Sequence, residues 1–293
     1  LRAYLETKNS ICQWVFEEIE KPKNYSFLAQ THVTCKEIAQ QNLKIDWELV
    51  KHLAVKDPKA RSIVERFDPA RTFINYNLFG AITGRLATQP DSFPIMNLKN
   101  EHKGILLPKN DWFVEFDYNG AEIRTLLSLT KKPQPQEDIH EFHVKEIYRD
   151  VTTRAKAKER FFAWLYNPNS EDHLTERYYD RQSILTSYYR GGCVYTPFGR
   201  EIETDDFHAL NYLLQSSSSD NCMTQVNKIH RFLRDKRSNV AFAIHDSVVV
   251  DLAHGDRNLL PQIRELFEDT TLGKFKVGVK IGKNMGELRE FTW

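Results

Sequence analysis

Residues 240–251, VAFAIHDSVVVD, constrain the fold more than any other stretch of this chain. They read as strand, a tight break of two residues, then strand, which puts Asp246 at the tip of a hydrophobic hairpin. A second segment, WFVEFDYNGAEIRTLLSL (112–129), also begins as a strand, with Trp112, Val114 and Phe116 alternating against Phe113, Glu115 and Asp117. It too ends in an aspartate, followed by the Asn119-Gly120 turn signal and a helical pattern. No internal repeat and no Pro/Ser-rich boundary separates these segments. The chain therefore reads as one interwoven α+β unit.

The remaining pattern is mostly helical. Residues 1–70 read as helices, with Tyr4, Leu5, Ile11, Trp14, Val15 and Ile19 near one stripe and a break at Asp57-Pro58. Residues 71–86 look β-like and Gly-punctuated, and 88–110 look like loop. Helices are expected over 138–166, 172–189, 205–234 and around 257–269. A turn and hairpin is expected in RGGCVYTPFGRE (190–201), and a strand over 274–281.

Composition removes several classes. Of 293 residues, 41% are hydrophobic and 12% aromatic, too many for a disordered chain. No apolar run approaches the roughly 18 residues of a membrane helix. Lys and Arg number 41 against 40 Asp and Glu, which excludes a basic nucleic-acid coat. Local charge is uneven, however: Lys145, Arg149, Arg154, Lys156, Lys158 and Arg160 face three acids within 145–160. Lys228, Arg231, Arg234, Lys236 and Arg237 face only Asp235. A groove with cationic walls and an acidic floor is compatible with that distribution. Cys12, Cys35, Cys193 and Cys222 lack the spacing of a zinc site or disulfide framework, and the first residues lack a signal-segment pattern.

Two patterns carry chemistry. Asp117 and Asp246 both end apolar strands, where two carboxylates could share a pair of divalent cations; magnesium suits such sites. Each also has a plain reading, as a helix N-cap or a hairpin turn. Arg154, Lys158, Phe162 and Tyr166 recur every four residues, within an arc of roughly 120° on one helix face. Cations at one end and rings at the other match the polarity of a nucleoside triphosphate; taken alone, the pattern is more simply a solvated basic end followed by a core stripe.

Taken in order, these residues resemble family A DNA polymerases, the class of bacterial DNA polymerase I. FDYNGAEIR (116–124) resembles the first palm motif, RAKAKERFFAWLY (154–166) the fingers helix and AIHDSVVV (243–250) the second palm motif. Thr83-Gly84-Arg85, Asp138-Ile139-His140, Asn211 with Gln215, and GKNMGE (282–287) support the match over about 70–293.

The resemblance implies a right-hand polymerase fold with an antiparallel palm sheet carrying the metal carboxylates, helical fingers and a partial helical thumb. It divides the chain into 1–69 (partial thumb), 70–137 (palm), 138–203 (fingers) and 204–293 (palm). It implies a DNA-directed DNA polymerase, without an exonuclease domain in this chain, using two Mg2+ ions held by Asp117, Asp246 and the Tyr118 carbonyl. Arg154, Lys158 and His140 would bind the incoming dNTP phosphates, with Lys158 also placed to protonate the leaving pyrophosphate. Phe162 would pack on sugar and base, and Glu122 would close the space of a ribose 2′-hydroxyl. Tyr166, Arg85, Asn211, Gln215 and His245 would contact template and primer.

Implied partners are primer-template DNA, dNTPs and a processivity factor or other replication proteins, inside a cell, with no membrane. Ser247, Asn167 and Phe207 depart from the family pattern; His-Asp-Ser is also found in single-subunit RNA polymerases of the same fold. An RNA polymerase-like enzyme and a polymerase-like nucleic-acid binding subunit are the alternatives. The region before residue 70 is short for a full thumb.

Overall fold

The computed structural model describes residues 1–150 and 153–292; the part of the 138–166 helical expectation at 151–152 lies outside the described residues. The N-terminal part contains α1 (Arg2–Glu18), α2 (Tyr25–Ala39), β1 (Lys44–Ile45), α3 (Trp47–Ala54), α4 (Pro58–Arg66), β2 (Tyr76–Asn77), β3 (Ala87–Thr88) and β4 (Leu106–Leu107). Next come β5 (Trp112–Tyr118), α5 (Ala121–Leu129), α6 (Ile139–Phe142), α7 (Arg154–Tyr166), α8 (His173–Tyr179) and α9 (Arg181–Tyr188). A small sheet of β6 (Tyr189–Arg190), β7 (Cys193–Tyr195) and β8 (Glu201–Glu203) precedes α10 (Ala209–Leu233). The chain closes with β9 (Asn239–Ile244), β10 (Ser247–Leu252), α11 (Leu260–Glu268), β11 (Asp269–Thr270), β12 (Gly273–Lys274), β13 (Val277–Gly282) and β14 (Arg289–Glu290).

The central sheet is antiparallel throughout, in the order β14-β13-β5-β10-β9. Every residue of β10 is buried, which explains the unbroken apolar run: both faces are covered, so period-two alternation disappears. In β5, Phe113 is buried as well as Val114 and Phe116, because its ring meets Phe242 of β9 edge-on at 5.6 Å. The buried Asp251 accepts from the Lys109 and Asn110 N–H groups at 2.8 and 3.0 Å, so this inward carboxylate is satisfied by backbone.

Two hydrophobic cores divide the molecule. One lies about the central sheet and takes in Cys35, Ile38 and Val50 from the N-terminal helices. The other gathers α5 to α9 around Phe161, Trp164 and Tyr179. Helix α10, about 37 Å long, contributes Leu210, Leu213 and Leu214 to the helical core and Met223, Val226 and Ile229 to the sheet core. Between those two apolar stretches, Ser216–Asn221 are all buried and all polar.

Several expectations are corrected. The stripe on α1 forms a helix but buries nothing: Tyr4, Ile11, Trp14 and Ile19 are all exposed. Residues 71–86 contain only the two-residue strand β2, because the glycines there make turns rather than extended pairing. The 88–110 segment holds β3's last residue nearby, two short 3-10 turns (Ile95–Asn97 and Asn100–Ile105) and β4, where Leu106 and Ile45 pair across to the N-terminal region. Residues 138–150 are not one helix; a π-helical turn, His143–Ile147, follows α6. No helix among the described residues is long and apolar enough to cross a membrane.

Candidate active site

The hairpin tip and the end of β5 meet through strand register. Ser247 pairs with Asp117, and the Tyr118 N–H points to the Asp246 carbonyl at 3.4 Å. The hairpin closes through His245 and Asp246, with Ile244 opposite Ser247. His245 has φ +51, a left-handed conformation that two-residue hairpins usually give to glycine. A non-glycine residue there costs about 1 kcal/mol or more, and Tyr76 helps hold it: its hydroxyl donates to the Ala243 carbonyl at 2.6 Å and accepts the Ala243 N–H at 3.0 Å.

Electrostatics mark the pair. Asp117 reaches solvent on an open face, yet surrounding protein, then the charges of Glu115 and Asp246, push its carboxyl up to about 7. Burial also raises Asp246, opposed by Arg85 and by the Ser218 hydroxyl, which donates to its Oδ1 at 3.3 Å. Two carboxylates raised together want positive charge between them. The donor set, with the Tyr118 carbonyl at the same strand end, fits a divalent oxygen-liganded cation. The Tyr118 ring faces away: it stacks on Phe267 at 4.2 Å and donates to the Phe267 carbonyl at 2.7 Å.

Asp57, Glu101 and His102 form the group of three metal-type ligands among the described residues, with donor atoms within 4.8 Å of one another. Lys99 Nζ already lies 3.1 Å from Asp57 and 2.9 Å from Glu101. That ammonium supplies the positive charge, so the trio reads as an ion-pair network.

Helix α7 settles its own pattern. Its buried residues are Ala157, Phe161, Trp164 and Leu165. Arg154, Lys158 and Tyr166 are exposed and Phe162 is half-buried, so the four-residue spacing is not the core stripe. Thr153 caps the helix through the Lys156 N–H. Phe162 and Tyr166 stack at 5.7 Å, and Phe162 lies 6.3 Å from the His140 ring. His140 is buried; burial, then the charges of Arg154 and Lys158, lower it to about 4, so at neutral pH it offers a neutral donor or acceptor rather than a cation. Arg154 is held by Asp138 at 3.0 Å, whereas Lys158 has no ion pair among the described residues.

Asp138 is the hub of this corner. It caps α6 through the His140 and Glu141 N–H groups and accepts from Asn119 at 2.6 Å. Burial disfavours its charge, but these bonds and Arg154 outweigh it and hold the carboxyl well below its usual range. The fully buried Arg124 donates to the carbonyls of Asn119, Pro135 and Glu137, fastening the loop between α5 and α6. Gly120, at φ +71, lets the two approach: a Cβ there would fall 2.5 Å from Ile139.

Glu122 joins the same face. It is buried in the first turn of α5, where Arg85 reaches it at 2.5 Å and the Tyr166 hydroxyl at 3.3 Å. Burial pushes its carboxyl up, with Arg85 opposing. Thus Asp117, Asp246, Glu122, Arg85 and Tyr166 are linked, and His140, Arg154, Lys158 and Phe162 form the adjoining group. Asn211 and Gln215 bond each other at 2.6 Å on α10, and His245 is exposed at the tip.

Sequence reasoning assigned no role to Arg200 or Asp220, which contact this machinery from elsewhere in the chain, and read Asn119 only as part of a turn. Ser216–Ser219 are all buried, and Ser218 and Ser219 donate to Asp246 and to the Gly84 carbonyl. Ser247 is buried and donates back to the Ile244 carbonyl, so that position adds nothing to the acidic face. A cavity of about 690 Å³ opens beside Arg200, lined also by Lys21, Asn24 and Tyr195.

No family model matches this sequence, and no curated protein matches it. Among solved structures, the chain is similar to the POL domain of Pol1 from M. smegmatis, in complex with DNA primer-template and dNTP. The TM-score is 0.66 at 17% sequence identity, over 78% of this chain and 51% of that one. The chain thus spans about half the length of that structure, and at such low identity the likeness is one of fold: a mixed α/β chain with antiparallel sheets, built like a polymerase domain.

Proposed function

We propose that this chain is a template-directed DNA polymerase that adds deoxynucleotides to a primer 3′ end by nucleotidyl transfer. The observation that carries the proposal is the meeting of Asp117 and Asp246 at one end of the central sheet, beside the outward line Arg154, Lys158, Phe162 and Tyr166. The polymerase-like fold supports it. In this reading the central sheet is the palm, α6 to β8 the fingers, and 1–69 a partial thumb.

Two Mg2+ ions held by Asp117, Asp246 and the Tyr118 carbonyl would lower the pKa of the primer hydroxyl and neutralise the triphosphate. The chain's own residues do the rest. Lys158 and Arg154 hold the phosphates, Arg154 by exchanging its bond to Asp138, and charge on the transferred phosphoryl is balanced there. Neutral His140 donates one hydrogen bond. Lys158 gives a proton to the departing pyrophosphate. The Phe162 ring packs on the sugar and base, and Tyr166 lies beside the template base. Glu122, fixed by Arg85 and Tyr166, fills the position of a ribose 2′-hydroxyl, which favours deoxynucleotides and a DNA enzyme over an RNA polymerase. Arg85, Asn211, Gln215 and His245 face the primer-template. An open carboxylate face, rather than an enclosed cavity, suits a duplex.

Primer extension with magnesium tests the proposal. The unaltered chain should extend a DNA primer, and Asp117→Asn or Asp246→Asn should reduce extension to background while the fold persists. Undiminished extension by either variant would remove the metal assignment.

A further inference from the structure

We infer that the Arg200–Asp220 ion pair is a positioning clamp for Arg85 and, through Arg85, for Glu122. A contact outside the reacting group would then set the choice between deoxy- and ribonucleotides. The inference rests on the polymerase reading above.

Arg200 follows Gly199 at the turn between β7 and β8. Its Nε and Nη2 donate to Oδ2 and Oδ1 of Asp220 at 2.7 and 2.9 Å. A two-pronged bond of this kind fixes the orientation of the guanidinium plane as well as its position. Asp220 is 1% exposed, in the polar middle of α10. The pair therefore ties the β7–β8 hairpin to that helix in a place where neither charge has another counter-ion among the described residues.

The guanidinium lies directly against Gly84. A Cβ at that residue would fall 2.4 Å from Arg200 Cζ and 2.5 Å from Nη2, and Gly84 has φ +73. Only glycine fits such a contact. From the neighbouring position on α10, the Ser219 hydroxyl donates to the Gly84 carbonyl at 3.3 Å. One arginine and one turn of α10 thus hold this backbone.

Arg85 is the next residue. Its Nη2 meets Glu122, and its Nε is buried with no hydrogen-bond partner. The side chain has few anchors of its own, so its placement comes from the backbone at Gly84. Releasing the clamp lets that turn shift and draws Arg85 away from Glu122. A buried carboxylate without its cation then moves or takes up a proton. Movement opens the space that excludes a 2′-hydroxyl, and protonation removes the charge on which the Arg85 bond depends and so frees the side chain to move.

The test compares kcat/KM for dATP and ATP in magnesium-dependent primer extension. The unaltered chain is set beside Gly84→Ala, Arg200→Lys, and the double variant Arg200→Met with Asp220→Leu. The double variant removes the pair without stranding a buried charge, and Arg200→Lys keeps the positive charge if bulkier changes fail to fold. The dATP preference should fall at least about tenfold in Gly84→Ala and the double variant, with Arg200→Lys between. That ratio does not depend on the fraction of folded enzyme, so a merely structural bridge would leave it unmoved. An unchanged ratio in variants that still extend primer overturns the clamp. Failure of the unaltered chain to extend any primer overturns the polymerase reading instead.

Discussion

Arg154 and Lys158 sit one turn apart on the same helix face but differ in state. Arg154 is engaged by Asp138, and Lys158 projects into solvent without a carboxylate partner among the described residues. An incoming triphosphate therefore meets Lys158 first, at no cost in broken ion pairs. Lys158→Ala should slow single-turnover extension by roughly two to three orders of magnitude, the usual cost of one preorganised charge donor. DNA affinity, read by fluorescence anisotropy, should stay near that of the unaltered chain. A large loss of affinity with normal chemistry would move Lys158 to the template groove. At this scale the sequence was informative where spacing carried the meaning, as in 154, 158, 162 and 166. It was silent on Arg200 and Asp220, because nothing in their local pattern announces a partner twenty residues away.

At the scale of elements, the π-helical turn after α6 places His143 between that helix and α7. It is fully buried, 2.7 Å from the Tyr179 hydroxyl, with its ring against Tyr148 and Phe161. Burial, then the neighbouring His140, lower His143 to about 3, while Asp138 pulls the other way. Exposed histidine titrates near about 6.5, so the unfolded chain takes up the proton more readily. The stability that neutral His143 contributes is full above about 6.5 and is lost as pH falls from there towards about 3, at roughly 1.4 kcal/mol per pH unit. His140, lowered to about 4, adds in the same direction over its own window. Urea unfolding at pH 7.5, 6.0 and 5.0 should show this slope, and His143→Phe should remove about one proton from it. An equal slope in both proteins would mean that His143 stays solvated. The helical expectations over 138–166 and 205–234 take in α7 and α10, and that over 1–70 takes in α2. Helix periodicity did not foretell the π-helical turn at His143–Ile147, where the buried His143 ring meets Phe161 of α7 and Tyr179 of α8 and tertiary packing overrides local propensity.

For the whole molecule, two cores joined by one helix explain why distant segments form a single site. The sheet core fixes Asp117 and Asp246, the helical core fixes α7, and the polar middle of α10 passes between them. Helix α1 belongs to neither core, since none of its residues is buried. Deleting residues 1–18 should leave the thermal midpoint within about 2 °C, because surface changes away from the core stay within about 0.5 kcal/mol. A drop of many degrees, measured by circular dichroism, would show that its apolar stripe is covered in solution.

By itself the sequence determined the α+β character, the two aspartates at strand ends, the order of helices and the polarity of the 154–166 face. Each of these is a local matter of period, run length and residue type. Only the tertiary structure decided that the Arg154 line faces outward, that Glu122 is closed by Arg85 and Tyr166, and that Arg200 braces Gly84. Those outcomes depend on which surfaces the two cores bury and on contacts between residues far apart in the chain. A linear pattern records what each segment can bury but not what will be packed against it.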